Sequence, residues 1–154
     1  RMRWSILTIA SVLALAYVMN FSGQTVAMGT FLAGLGTVYA FLAPALGWIG
    51  TAVTGSDTSA NALFSKLQVS AAENLQHAGI HGATPELMLA ANTTGGVVGK
   101  MISPQSLAIA ATSVDMEGKE SDILKAVLPW SFGMLLVVCV LVFLQTNVLS
   151  FLVP

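Results

Sequence analysis

Residues 41–64 read FLAPALGWIGTAVTGSDTSANALF. An apolar arm beginning near Pro44 runs into Gly55-Ser56-Asp57-Thr58-Ser59-Ala60-Asn61, and a second arm continues to about Leu75. Proline favours the first turn of a helix, and Asp57, Thr58 and Ser59 are each suited to cap the helix that follows. Apolar arm, polar glycine-containing tip, second arm: this is the pattern of a re-entrant hairpin over residues 44–75, with each arm read as too short to cross a bilayer. Irregular backbone at membrane depth is tolerated only where protein buries it or where it lines a cavity. A helix broken there offers N–H groups to a carboxylate and freed carbonyls to a cation or proton donor. The competing reading is a simple turn with Asp57 as an ordinary cap in water.

The membrane setting comes from the charges. Of 154 residues, 55% are hydrophobic and only 8% charged, against about 25% charged in an ordinary soluble domain. Residues 4–56 and 126–154 carry no charge at all, and a spanning helix needs about 20 mostly apolar residues. A soluble enzyme is thereby excluded, and a net charge of −1 leaves no basic footprint for nucleic acid. The chain is expected to be an all-α integral membrane protein. Trp4–Asn20 is a plain span, residues 22–38 are an interfacial or partial helix interrupted by glycines, and 127–149 form the last span with Pro129 in its first turn. Arg1 and Arg3 place the start of the first span in the cytoplasm by the positive-inside tendency. The loop at 114–125, with six of the thirteen charges, then also falls in the cytoplasm.

A second polar run lies within residues 86–112, long enough to cross as a broken helix. Asn92-Thr93-Thr94-Gly95-Gly96 is expected to open it at mid-depth, with Lys100 shortly beyond. Gly95 and Gly99 also make a small-xxx-small pair through which another helix can approach closely. A lysine at depth costs about 2.5–3.5 kcal/mol on insertion scales, so Lys100 invites a functional reading over a snorkelling one. Ser103-Pro104-Gln105-Ser106 disturbs the same helix again, since proline removes a backbone donor.

Other chemistry finds no footing. Cys139 is the only cysteine, so neither a disulfide nor a thiolate cluster can form within the chain. His77 and His81 sit in an aqueous loop without a third ligand. No Ser/His/Asp arrangement, phosphate-binding glycine loop or HExxH is present, so no enzyme, cofactor or resident metal is expected.

The runs Gly55–Phe64, Asn92–Gly96 and Lys100–Gln105, together with Phe41–Pro44, Leu46-Gly47-Trp48 and the final apolar span, resemble the bacterial L-lactate permease family. Its members are considerably longer, so the resemblance implies a C-terminal portion that works with the N-terminal half of the same transporter. It implies a multi-pass protein of the bacterial inner membrane that imports L-lactate, and glycolate or related 2-hydroxy monocarboxylates, by proton symport. It further implies one half of an inverted-repeat secondary transporter, with hairpin tip and helix break meeting at the substrate. The candidate binding residues are Ser56, Asp57, Thr58, Ser59, Asn61, Asn92, Thr93, Thr94, Gly95, Gly96, Lys100, Ser103 and Gln105. Asp57 is the candidate proton carrier, with Lys100 either attracting the substrate carboxylate or pairing with Asp57. A sodium-coupled carboxylate carrier and a non-transporting membrane subunit are the rival readings.

Overall fold

The computed structural model describes residues 2–152, and every regular element among them is helical. Seven α-helices follow one another: α1 Met2–Phe21, α2 Gln24–Ala33, α3 Thr37–Thr54, α4 Asp57–His77, α5 Pro85–Gly99, α6 Pro104–Ser113 and α7 Glu120–Asn147. Short 3₁₀ turns occupy Lys100–Ile102 and Ser150–Leu152. Arg1, half of the charge pair behind the expected orientation, lies outside the described residues, and so does the Arg3 side chain.

Helices α3 and α7 are each long and apolar enough to cross a membrane, and residues 10–21 of α1 with α2 qualify as a third span bent by 72°. The bend falls at Ser22-Gly23, where Gly23 takes a φ of 75°. Large apolar side chains such as Phe21, Phe31 and Trp130 stand exposed, a surface that suits lipid or further protein rather than water.

Four expected boundaries are corrected. The first arm of the hairpin does not start at Pro44 but at Thr37, and its 18 residues reach spanning length. Pro44 sits inside that helix, where its missing N–H costs one backbone bond. Pro129 likewise lies well inside α7, because Glu120 and Asp122 start that helix early; acidic side chains favour a helix N-terminus. The loop correspondingly shrinks to residues 114–119.

The fourth correction concerns the break. Asn92–Gly96 does not open the helix: α5 runs unbroken through it, and the interruption falls at Lys100–Ser103. Proline decides this. The residue before a proline is pushed out of the α region, and Ser103 is extended with ψ 142°, caps α6, and hands Pro104 its first-turn position. The glycines serve packing instead. A Cβ at Gly95 would collide with the Pro44 carbonyl, one at Gly99 with the Trp48 carbonyl, and one at Gly47 with the Asn92 carbonyl. Three glycines thus let the backbones of α3 and α5 touch, which is how helices associate where the hydrophobic effect gives little drive.

Around this crossing lies an alanine-rich core of Tyr39, Ala40 and Ala43 from α3, Ala71, Ala72 and Leu75 from α4, Met88 and Ala91 from α5, and Val142 from α7. A smaller cluster joins Val98, Leu135 and Cys139. Trp48 donates its indole N–H to Ser131 Oγ at 2.9 Å, and Ser131 donates onward to the Val98 carbonyl at 3.2 Å, tying α3, α7 and α5 together.

Candidate functional site

Two helix junctions come side by side in this fold. At the first, α3 ends on Gly55, whose φ of 73° is the left-handed conformation glycine accepts freely, and its N–H bonds the Thr51 carbonyl. Ser56 then caps α4 by accepting from the Ser59 N–H at 3.3 Å. At the second, Lys100–Ser103 separates α5 from α6. Gln105 bridges them: its side chain packs over Gly55, so that a Cβ there would lie 3.1 Å from Oε1.

Between the junctions the polar side chains are joined in series. Asn61 Nδ2 donates to Asp57 Oδ2 at 3.2 Å. Asn61 Oδ1 in turn accepts from Asn92 Nδ2 at 2.7 Å and from the Thr93 hydroxyl at 3.2 Å. Asn92 Oδ1 accepts from Gln68 Nε2 at 3.2 Å, and the same Gln68 nitrogen donates to the Ala43 carbonyl at 3.0 Å. The Tyr39 hydroxyl closes the series by donating to Gln68 Oε1. Tyr39, Gln68 and Asn92 are fully buried. Unpaired amides there would be costly, so the chain satisfies a condition as well as linking α3, α4 and α5.

The far side of Asp57 is different. Its Oδ1 and the Thr51 Oγ1 are buried without a hydrogen-bond partner. Both atoms lie against Gly96, where a Cβ would run into each. They are neighbours without the geometry of a formed bond. Lys100, one turn beyond Gly96, is exposed and makes no ion pair with Asp57. Among the described residues the ion pair within 4.0 Å joins Lys125 and Asp122 on the surface.

The thirteen sequence-derived candidates therefore separate. Asp57, Asn61, Asn92, Thr93 and Gly96 come together, with Gln105 and Lys100 at the margin. Ser56, Thr58 and Ser59 face the other way and line a cavity of about 200 Å³ against Val12 and Leu13 of α1. Thr94 donates to the Ala90 carbonyl and borders a groove of about 800 Å³ between α5 and α7. Its walls of Val97, Val98, Trp130, Met134 and Val137 are almost wholly apolar and bring no charge to meet a carboxylate. Gly95 is taken up by α3 packing, and Ser103 by its cap on Ser106. Asn92 has its amide engaged on both sides and reaches the surface only through Asn61.

Three participants went unnoticed in the sequence: Tyr39, Gln68 and Thr51. One signal was available for Gln68. It follows Asn61 by seven residues, two helical turns, and so lies on the same face of α4.

The chain matches the family described as L-lactate permease over residues 1–149. An L-lactate permease of Bacillus subtilis (strain 168) is 48% identical over 97% of this chain and 25% of its own length. An L-lactate permease of Escherichia coli (strain K12) is 45% identical over 97% of this chain and 26% of its own. A glycolate permease of the same strain is 42% identical over the same shares. The chain thus spans about a quarter of the length of the curated relatives it matches. No solved structure matches. With that agreement along almost all of its residues, this helical membrane chain belongs to the L-lactate permease family.

Proposed function

We propose that the chain forms the C-terminal part of a secondary transporter of the bacterial inner membrane. It imports L-lactate, and glycolate or related 2-hydroxy monocarboxylates, together with a proton. The observation that carries this reading is the meeting of Asp57 and Asn61 at the tip of α4 with Asn92 and Thr93 on α5. The names of the relatives add the substrate class.

In this reading Lys100 attracts the substrate carboxylate, since it is an exposed cation with no partner of its own among the described residues. Thr93 offers its exposed hydroxyl to the substrate 2-hydroxyl, and Asn61 holds the Thr93 hydroxyl in place. Asn92 holds Asn61 in place from behind. Asp57 takes up and releases the coupled proton. Ser56, Thr58 and Ser59 serve the opposite flank of the tip, toward α1, and the rest of the permease supplies the other wall of the site.

The test is uptake of labelled L-lactate into proteoliposomes containing the full-length permease. An imposed pH gradient drives accumulation, and glycolate competes. Lys100→Gln raises the KM by about ten-fold or more, the worth of a lost bond to a charged group. Asp57→Asn abolishes pH-driven accumulation while counterflow of labelled lactate remains measurable. Accumulation driven by sodium alone would replace this reading with a sodium-coupled carrier, and absence of lactate binding would leave a non-transporting subunit.

A further inference from the structure

The orientation of every amide in the buried series is fixed from one end. The Ala43 carbonyl can only accept, so Gln68 must turn its NH₂ toward it, leaving Oε1 for the Tyr39 hydroxyl. The same NH₂ donates to Asn92, so Asn92 presents its oxygen to Gln68 and its NH₂ to Asn61. Asn61 then receives two donors on Oδ1 and has only its NH₂ left for Asp57. Hydrogen bonds in one direction strengthen one another. The consequence falls on the carboxylate: Oδ2 faces a donor and can only accept. A proton placed on the lone pair that accepts from Asn61 would set two donors face to face.

The other oxygen has the opposite surroundings. Oδ1 is buried without a partner, beside a Thr51 hydroxyl that is also buried and unpartnered, in the space that Gly96 leaves open. A hydroxyl both donates and accepts. With Asp57 ionised, Thr51 can donate to Oδ1. Once the O–H bond forms on Oδ1, Thr51 can accept from it and turn its own hydrogen to a carbonyl one turn back, as Thr54 already does toward Gly50 in the same helix.

We propose that the proton carried by Asp57 is bound on Oδ1 and held to Thr51 Oγ1 over Gly96, with Gln68 as the positioning residue that denies it Oδ2. The inference rests on the reading of Asp57 as proton carrier and assigns the atom and its partner. Few charges compete for that place. Helices α2 and α3 have no charged residue, and Tyr39, the titratable group of α3, sits at the far end of the amide series. On α4, Lys66, Glu73 and His77 lie two or more turns away, and α5 brings Glu86 at its opposite end. On α1, Tyr17 is the titratable group whose side chain is described. Lys100 is the cation whose field reaches Asp57.

The experiment measures the pH dependence of lactate uptake by the full-length permease in proteoliposomes. Thr51→Val removes the hydroxyl and keeps the shape. It displaces the pH midpoint of uptake upward by about one unit or more, a ten-fold change in proton concentration, because the ionised carboxylate loses the hydroxyl donor available to its Oδ1. Thr51→Ser brings the midpoint back. Should Thr51→Val fail to insert, Thr51→Cys, a weak donor, takes its place with the same two outcomes. A parental midpoint in the variant lacking the hydroxyl overturns the Thr51 assignment, even where Asp57→Asn abolishes accumulation. Accumulation that survives Asp57→Asn overturns the proton-carrier reading itself, and this inference with it.

Discussion

Asn92 donates its side-chain amide to Asn61 Oδ1 over 2.7 Å, although 31 residues separate them in the chain. This bond fastens the middle of α5 to the second turn of α4, just behind Asp57. It makes the two asparagines unequal. Asn61 is partly open, whereas Asn92 is wholly buried and also accepts from Gln68.

The inequality predicts different losses on truncation. Asn61→Ala reduces lactate uptake with a smaller loss of inserted protein, since water can enter at this partly open position and take up the Asn92 hydrogen. Asn92→Ala reduces both, since it strands a Gln68 hydrogen in the interior at a cost of about 1–3 kcal/mol. Uptake kinetics beside the yield of monodisperse protein in detergent separate the two effects. Parental uptake in both variants would remove the pair from the site.

The α3–α5 contact predicts a strong dependence on side-chain size. Gly95→Ala and Gly99→Ala each force backbones apart and destabilise the protein by about 1–3 kcal/mol, the usual range for overpacking. Gly133→Ala on α7 meets nothing within 4 Å and should keep or slightly raise the thermal midpoint in detergent, since alanine is the better helix former. Equal midpoints for all three variants would mean that the glycines are not what brings α3 and α5 together.

The bridge through Ser131 predicts coupling between residues 83 positions apart. Ser131→Ala leaves the Trp48 N–H and the Val98 carbonyl facing an apolar methyl. Trp48→Phe removes one of those orphans, so the double variant should lose less stability than the two single losses added. A double-mutant cycle on thermal stability should read about 0.5–3 kcal/mol of interaction. Strict additivity would exclude the bridge.

Topology gives a labelling prediction. Gly82 packs against the Thr146 backbone, so the 78–84 loop and the end of α7 share one face of the bundle. The start of α7 lies at the other end, beside α6. With the first span starting in the cytoplasm, cysteine at exposed Ala78 should react with an impermeant thiol reagent in intact cells, and cysteine at exposed Ser121 should not. Ala78 is preferred to Gly79, whose φ of 89° disfavours any side chain. Cys139 is buried and should stay silent. The reverse pattern would invert the orientation.

What the sequence determined by itself were the properties that accumulate locally. Long uncharged runs dictate membrane helices, because each polar group left in lipid carries its own cost whatever its neighbours are. Gly55-Ser56-Asp57 was legible as a junction, since a left-handed glycine followed by a capping serine is complete within a few residues. Ser103-Pro104 held the true helix break in plain view, but Gly95-Gly96 drew the reading away from it. Only the tertiary structure decided between those two. A glycine in a helix either weakens it or admits a neighbour, and which occurs depends on the Pro44 and Trp48 backbones arriving opposite it. The site divided in the same way. Asp57 and Asn61 could be paired by their spacing on α4, one turn apart. Gln68 could be placed on the face of Asn61 but given no partner, and Tyr39 and Thr51 could not be enlisted, because a polar side chain gains its partner from another helix, and the choice of that helix is made by packing.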